Sequence, residues 1–178
     1  MTSEDPSLRY PIGSFKRAES FTPKERSTAI EGLRQLPQNL RSAVNPLSAE
    51  QLEIPYRPGG WTVRQLVHHV ADSHMNAYSR VRLALTEEWP TIFAYRENLW
   101  ANLEDARTTA VTTSLDLLDA LHRRWVELFS SLEEKDWKRG YTHPENGRQS
   151  VEQALILYDW HGRHHTAHVT RLLARLGR

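Results

Sequence analysis

The chain has 178 residues, 39% of them hydrophobic and 25% charged, with six tryptophans, the profile of one globular domain (1–178) able to bury its own core. Lysine plus arginine exceed aspartate plus glutamate by only 23 to 22, so no global field would draw it to nucleic acid or an anionic membrane. With no cysteine, disulfides, Cys-based zinc sites and thiol nucleophiles of its own are excluded.

Residues 1–20 read as a polar, proline-containing arm without the apolar stretch of a signal peptide, and no run in the chain reaches transmembrane length, so a cytoplasmic location is expected. Helix-start signals then recur. Thr22-Pro23-Lys24-Glu25, Ser48-Ala49-Glu50-Gln51, Thr62-Val63-Arg64-Gln65, Ser131-Leu132-Glu133-Glu134 and Ser150-Val151-Glu152-Gln153 all fit the capping box, in which a hydroxyl accepts from a first-turn amide and Glu or Gln reaches back. Long helices are predicted over 23–44, bent or broken near Pro37, then 63–87, 114–131 and 151–176. Shorter helical pieces are expected near 49–52, 97–104 and 132–136. The sole plausible hairpin surrounds His143-Pro144-Glu145-Asn146-Gly147. The predicted fold class is all-α, a four-helix bundle in which the connection between the second and third long helices is long enough to cross the bundle.

Four of the nine histidines stand between positions 161 and 168. On a helical wheel with His165 at zero, Val151, Leu155, Tyr158, Val169, Leu172 and Leu176 fall within roughly −20° to +80°, so His165 lies inside the apolar stripe. His161 lies about 40° away, His168 about 60° and His164 about 100°, which predicts burial declining in the order 165, 161, 168, 164. Glu152, Asp159, Arg163 and Thr170 take the opposite side. The pairs His161/His165 and His164/His168 both have the i, i+4 spacing at which two imidazoles converge on one ion, and only the first faces the expected core. The helix opening at Thr62 offers His68, His69 and His74 for a third ligand. His74 is closer to the apolar face, whereas His69 lies on a polar stripe beside it with Thr62, Gln65, Ser73 and Asn76. Periodicity leaves that choice open. His68 points further out.

The motifs Arg9-Tyr10-Pro11-Ile12-Gly13, Gly59-Gly60-Trp61-Thr62-Val63-Arg64-Gln65, His68-His69-Val70-Ala71-Asp72-Ser73-His74-Met75-Asn76, Leu85-Thr86-Glu87-Glu88, Lys138-Arg139-Gly140 and Trp160-His161 through His165 to Ala167-His168 together resemble the DinB/YfiT superfamily of metal-binding four-helix bundles, most closely its YfiT branch. The resemblance implies a four-helix bundle of that type with a long crossover connection. It also implies one divalent ion, zinc or nickel, held by His69, eight residues after Trp61, together with His161 and His165.

Three neutral imidazoles without a fourth protein ligand leave an open coordination position, which suits catalysis better than structure. The expected activity is metal-dependent hydrolysis of a small-molecule substrate. Thiol S-transfer using a low-molecular-weight thiol such as bacillithiol, which relatives in the superfamily use, is the alternative, and a non-catalytic metal-binding helical protein a further one. A homodimer is compatible with the resemblance, and no nucleic-acid or membrane partner is expected. Asp72 is a weak candidate for proton transfer, beside His68, His74 and His168. Arg57, Arg139 and Arg163 are candidates for binding an anion, Trp61 and Trp160 for lining a pocket, and His143 for approaching the metal or standing exposed in its turn. His68 and His164 read as surface or supporting groups.

Overall fold

A computed structural model describes residues 6–177; the first five residues of the expected arm lie outside it. The elements in chain order are α1 (Pro6–Arg9), α2 (Pro23–Val44), α3 (Ala49–Leu52), α4 (Val63–Thr86), α5 (Glu97–Trp100), α6 (Glu104–Thr108), α7 (Val111–Ser130), a 3-10 turn (Asp136–Lys138), β1 (Gly140–His143), β2 (Gly147–Ser150) and α8 (Val151–Arg175). Four capping boxes form as expected, at Thr22, Ser48, Thr62 and Ser150, each contributing about 1 kcal/mol to its helix start. The fifth does not. Ser131 instead closes α7, its hydroxyl donating back to the Leu128 carbonyl, and the helical piece expected at 132–136 becomes the 3-10 turn a few residues later. The piece expected at 97–104 divides into α5 and α6, and α7 begins at Val111, earlier than predicted. Pro37 does not break α2, which runs unbroken past it.

Each long helix packs on two others: α2 on α7 and α8, and α4 on the same two. Contacts set the directions. Arg26 meets Glu152, and a side chain at Gly162 would meet Leu36, so α2 and α8 run parallel. Leu33 meets His122 and Arg41 meets Asp116, so α2 and α7 are antiparallel. His68 meets Ser114 and His74 meets His122, which makes α4 and α7 parallel. A parallel neighbour requires the chain to return along the bundle, and residues 87–110 make that return, as expected of a long crossover. On the way this connection adds to the hairpin: the Ile92 amide donates to the Thr142 carbonyl and the Thr142 amide to that of Pro90. The hairpin pairs Gly140 with Ser150 through His143 with Gly147, and Gly147 takes the positive φ of 69° that its turn requires.

Two apolar clusters fill the bundle. One gathers Leu33, Val81, Trp125, Phe129, Tyr141 and Leu155, and the other Leu40, Leu66, Val70, Leu118, Val169 and Leu172. Between them along α4, α7 and α8 lie His69, His74, His122, His161 and His165. A layer of imidazoles therefore crosses the middle of the core.

The arm packs along α8. Arg171 donates to the carbonyls of Ser7 and Pro11, Phe15 packs on Trp160, and Gln153 donates to the Ala18 carbonyl. Packing by neighbouring segments overturns part of the helical-wheel reading, which knows only one helix at a time. Glu152, placed on the polar side of α8, is fully buried and receives Arg26 at 3.2 Å and Lys138 at 2.8 Å. Removing it would leave the buried Arg26 guanidinium, among the described residues, with the exposed Glu134 as its one ionic partner beside the Trp137 ring. Glu152→Ala is expected to destabilise the fold by about 3 kcal/mol in urea denaturation, whereas Glu134→Ala should cost under about 1 kcal/mol.

Candidate metal centre

Ligand nitrogens of His69, His161 and His165 lie within 4.8 Å of one another. His69 comes from α4 and the other two, one turn apart, from α8. The rings of His69 and His165 are 5.0 Å apart, those of His69 and His161 5.4 Å, and those of His161 and His165 4.4 Å. The Trp61 ring packs against that of His69 at 4.6 Å, and Tyr158 approaches His161 at 5.7 Å. Burial pushes His69 down to about 4 and holds His161 and His165 well below the ordinary imidazole value, with the neighbouring imidazoles adding to the effect in these two. All three rings are therefore neutral at pH 7, the state in which a ring nitrogen offers its lone pair to a cation. Nδ1 of His165 is buried without a hydrogen-bond partner. Neutral nitrogen donors converging from two helices fit a divalent metal.

A second trio, His164, His165 and His168, meets the same distance test. In that group Nε2 of His164 and Nε2 of His168 face each other at 3.1 Å in a hydrogen bond, so one of these two nitrogens carries a proton, while Nδ1 of His164, like that of His165, is buried without a hydrogen-bond partner. Their burial departs from the expected order. His168 is 3% exposed, His165 7% and His164 8%, while His161 keeps more exposure than any of them. Tyr56 packs on His168 at 4.3 Å, and Trp160 at 4.6 Å and Tyr10 at 6.2 Å pack on His164. His164 is thus not a surface group. Nor is His68, which is buried between α4 and the start of α7, with Nδ1 2.7 Å from the Ser114 hydroxyl and Nε2 3.1 Å from the Thr109 carbonyl.

His74, the more apolar of the two α4 candidates, is fully buried, as periodicity predicts, but stands behind His161 rather than in the trio: its Nε2 is 3.1 Å from His161 Nδ1. With Nδ1 so engaged, Nε2 is the free nitrogen of His161. Asp72 is half-buried on α4, and burial together with the nearby Asp105 raises its carboxyl to about 6. His143 is in neither trio. Its Nδ1 accepts from the turn amides of Glu145 and Asn146, so the ring organises the hairpin.

The three arginine candidates are bound up in the fold. Arg139 closes the end of α4 by donating to the carbonyls of Ala84 and Glu87, Arg163 pairs with Asp159, and Arg57 donates to Pro58 and lies over Tyr56. Sequence reasoning did not single out Arg80, whose guanidinium donates to the Phe93 carbonyl. It lines a cavity of about 560 Å³ with Ser73, Tyr95, Glu97, His143 and Tyr158. Ser73 is one helical turn beyond His69 and Tyr158 one turn before His161, so the cavity wall comes within a turn of two of the trio, none of which lines it. The signal was available: Arg80 is eleven residues, three turns, after His69 and points to nearly the same side of α4.

Neutral burial has a thermodynamic consequence. The unfolded chain protonates these histidines near 6.5, whereas the folded chain keeps His69 and His122 neutral down to about 4. Below pH 6.5 the unfolded state binds more protons, so stability must fall as pH falls, by about 1.4 kcal/mol per pH unit for each such ring. Urea titrations of metal-free protein are expected to show a steep loss between pH 6.5 and 4; a flat profile there would contradict neutral burial.

Comparison with known proteins agrees with this architecture. The DinB superfamily model matches residues 32–169. Proteins of Bacillus cereus strains B4264 and G9842, each named "Putative metal-dependent hydrolase", are 52% identical over 169 residues, covering 95% of this chain and 97% of theirs. A solved structure, described as "YfiT from Bacillus subtilis is a probable metal-dependent hydrolase with an unusual four-helix bundle topology", superimposes with a TM-score of 0.94 at 46% identity, over 96% of this chain and 98% of that one. On fold, helix order and extent of match, this chain belongs to the DinB superfamily.

Proposed function

We propose that the protein is a metal-dependent hydrolase in which His69, His161 and His165 hold one divalent ion, zinc or nickel, beside a cavity that receives a small-molecule substrate. The observation that carries this reading is the convergence of three neutral imidazole nitrogens within 4.8 Å. The names of the Bacillus relatives support it. An ion bound there supplies Lewis-acid polarisation of a substrate oxygen and a nucleophile deprotonated near neutral pH.

The chain's own groups have distinct tasks. His161 presents Nε2 because its Nδ1 is tied to His74. Trp61 packs on His69, whose burial keeps that ring neutral. Asp72, raised to about 6, is a carboxylate at pH 7 that can accept a proton and hand it on, which is the range a general base needs. Arg80 in the cavity wall offers a cation to orient a polar or anionic portion of the substrate.

His165→Ala is expected to abolish stoichiometric metal binding, measured by elemental analysis after dialysis, with the helical circular dichroism retained; full metal retention would overturn the site. Zinc-loaded protein is expected to hydrolyse ester or amide substrates without any added thiol. Turnover of an electrophile that strictly requires a small thiol would instead assign thiol transfer. Asp72→Asn is expected to lower kcat by about 100-fold and to remove an acid limb near pH 6, below which the wild-type carboxylate is protonated and inactive. An unchanged pH profile would remove Asp72 from the mechanism.

A further inference from the structure

Behind His161 stands a line of groups that metal ligation does not explain. His161 Nδ1 is 3.1 Å from His74 Nε2, His74 Nδ1 is 3.0 Å from His122 Nε2, and His122 Nδ1 is 2.6 Å from the Leu33 carbonyl oxygen. The line spans three helices, α8, α4 and α7, and ends on the backbone of a fourth, α2. His74 and His122 are 0% and 1% exposed, so no solvent intervenes.

The backbone end sets the direction of every proton. Leu33 is four residues before Pro37, the position from which a helical amide would donate to its carbonyl, and proline has no N–H. A proline inside a helix costs about 3 kcal/mol, part of it the stranded carbonyl, and His122 answers that part. A carbonyl oxygen only accepts, so His122 must carry its proton on Nδ1. A neutral ring has one N–H, so His122 Nε2 is an acceptor and His74 must donate to it from Nδ1. His74 Nε2 is then an acceptor in turn, and His161 must donate from Nδ1. The remaining nitrogen of His161, Nε2, is left without a proton. Reversing the line would set an unprotonated His122 Nδ1 against a carbonyl oxygen, two acceptors in contact.

We propose that His74 and His122 are positioning residues for the metal ligand His161, fixing its Nδ1–H tautomer and ring orientation through a directed imidazole relay that starts at the carbonyl freed by Pro37. The inference rests on the metal-site reading for its purpose. Metal-bound histidines commonly donate their other ring N–H to a carboxylate or carbonyl; here two further rings carry that role across the bundle to a backbone carbonyl. The relay presents a lone pair at His161 Nε2 before any ion arrives, so binding need not displace a proton from that nitrogen.

The relay is tested by two independent readouts. In the metal-free full-length chain at about pH 8, where the rings are neutral, long-range proton–nitrogen correlation spectra are expected to show His122, His74 and His161 all as Nδ1–H tautomers. Finding His161 or His74 as the Nε2–H form overturns the relay. This readout needs no metal, so it stands apart from the outcome for His165→Ala. The second readout is zinc affinity by competition with a chelator. His122→Phe, which fills the volume without accepting a hydrogen bond, is expected to weaken zinc binding by roughly 10- to 100-fold and to convert part of His161 to the Nε2–H form. His74→Gln, whose amide can both accept and donate, is expected to recover most of the affinity lost in His74→Leu. A folded His122→Phe protein that binds zinc within about twofold of wild type overturns the proposal, and should that variant fail to fold, the wild-type tautomers still decide it.

Discussion

Imidazole rings can form a layer through the middle of a helical bundle only if each is neutral and its nitrogens are matched, one donor and one acceptor to a ring. That constraint organises this protein. The layer of His69, His74, His122, His161 and His165 separates two apolar clusters that on their own could pack as an ordinary core. Hydrogen bonds from His161 to His74, on to His122 and finally to Leu33 satisfy part of it, and the rest converges on the trio of ring nitrogens. A proline that would ordinarily weaken a helix becomes part of the solution, because it leaves a carbonyl for the last ring to meet.

The topology serves the same layer. Two parallel and two antiparallel helix contacts bring α4 and α8 together at the trio and α7 in behind them, and the return through residues 87–110 is what lets α7 run parallel to α4. That return also builds a wall of the nearby cavity, since Tyr95 and Glu97 belong to it, while His143 comes from the hairpin on which it leans. Cavity and trio therefore depend on the same connection. The arm lies along the outer side of α8, where Tyr10 packs on His164 and Phe15 on Trp160.

Much of this was legible in the sequence where the signal is local. Helix starts at Thr22, Ser48, Thr62 and Ser150 are written in four residues each, and the hairpin in Asn146-Gly147. The same pattern at Ser131 misled because a helix already running through Ser130 captures that hydroxyl. The pair His161/His165 could be read from one helical wheel. His69 against His74 could not, because both rings enter the same layer and their difference lies in which neighbours meet them: His74 meets His122 of α7 and His161 of α8, whereas His69 meets His161 and His165 of α8 and Trp61 just before α4. Exposure was misjudged at Glu152, His164 and His68, for the common reason that a wheel cannot see a neighbouring segment. His122 stands in the apolar stripe of α7 with Leu115, Leu118, Trp125 and Phe129, which marks it as buried, but its partner was not legible, being a carbonyl made available by a proline far away in the chain.

The ion is proposed to belong to His69, His161 and His165, with the other histidines in support. Anomalous diffraction from zinc-loaded crystals measures this most directly. The account predicts one strong peak at about 2.0–2.1 Å from one ring nitrogen of each of these three residues, Nε2 in the case of His161, with solvent completing the sphere. A peak coordinated instead by His164, His165 and His168, or by His161 through Nδ1, would contradict it.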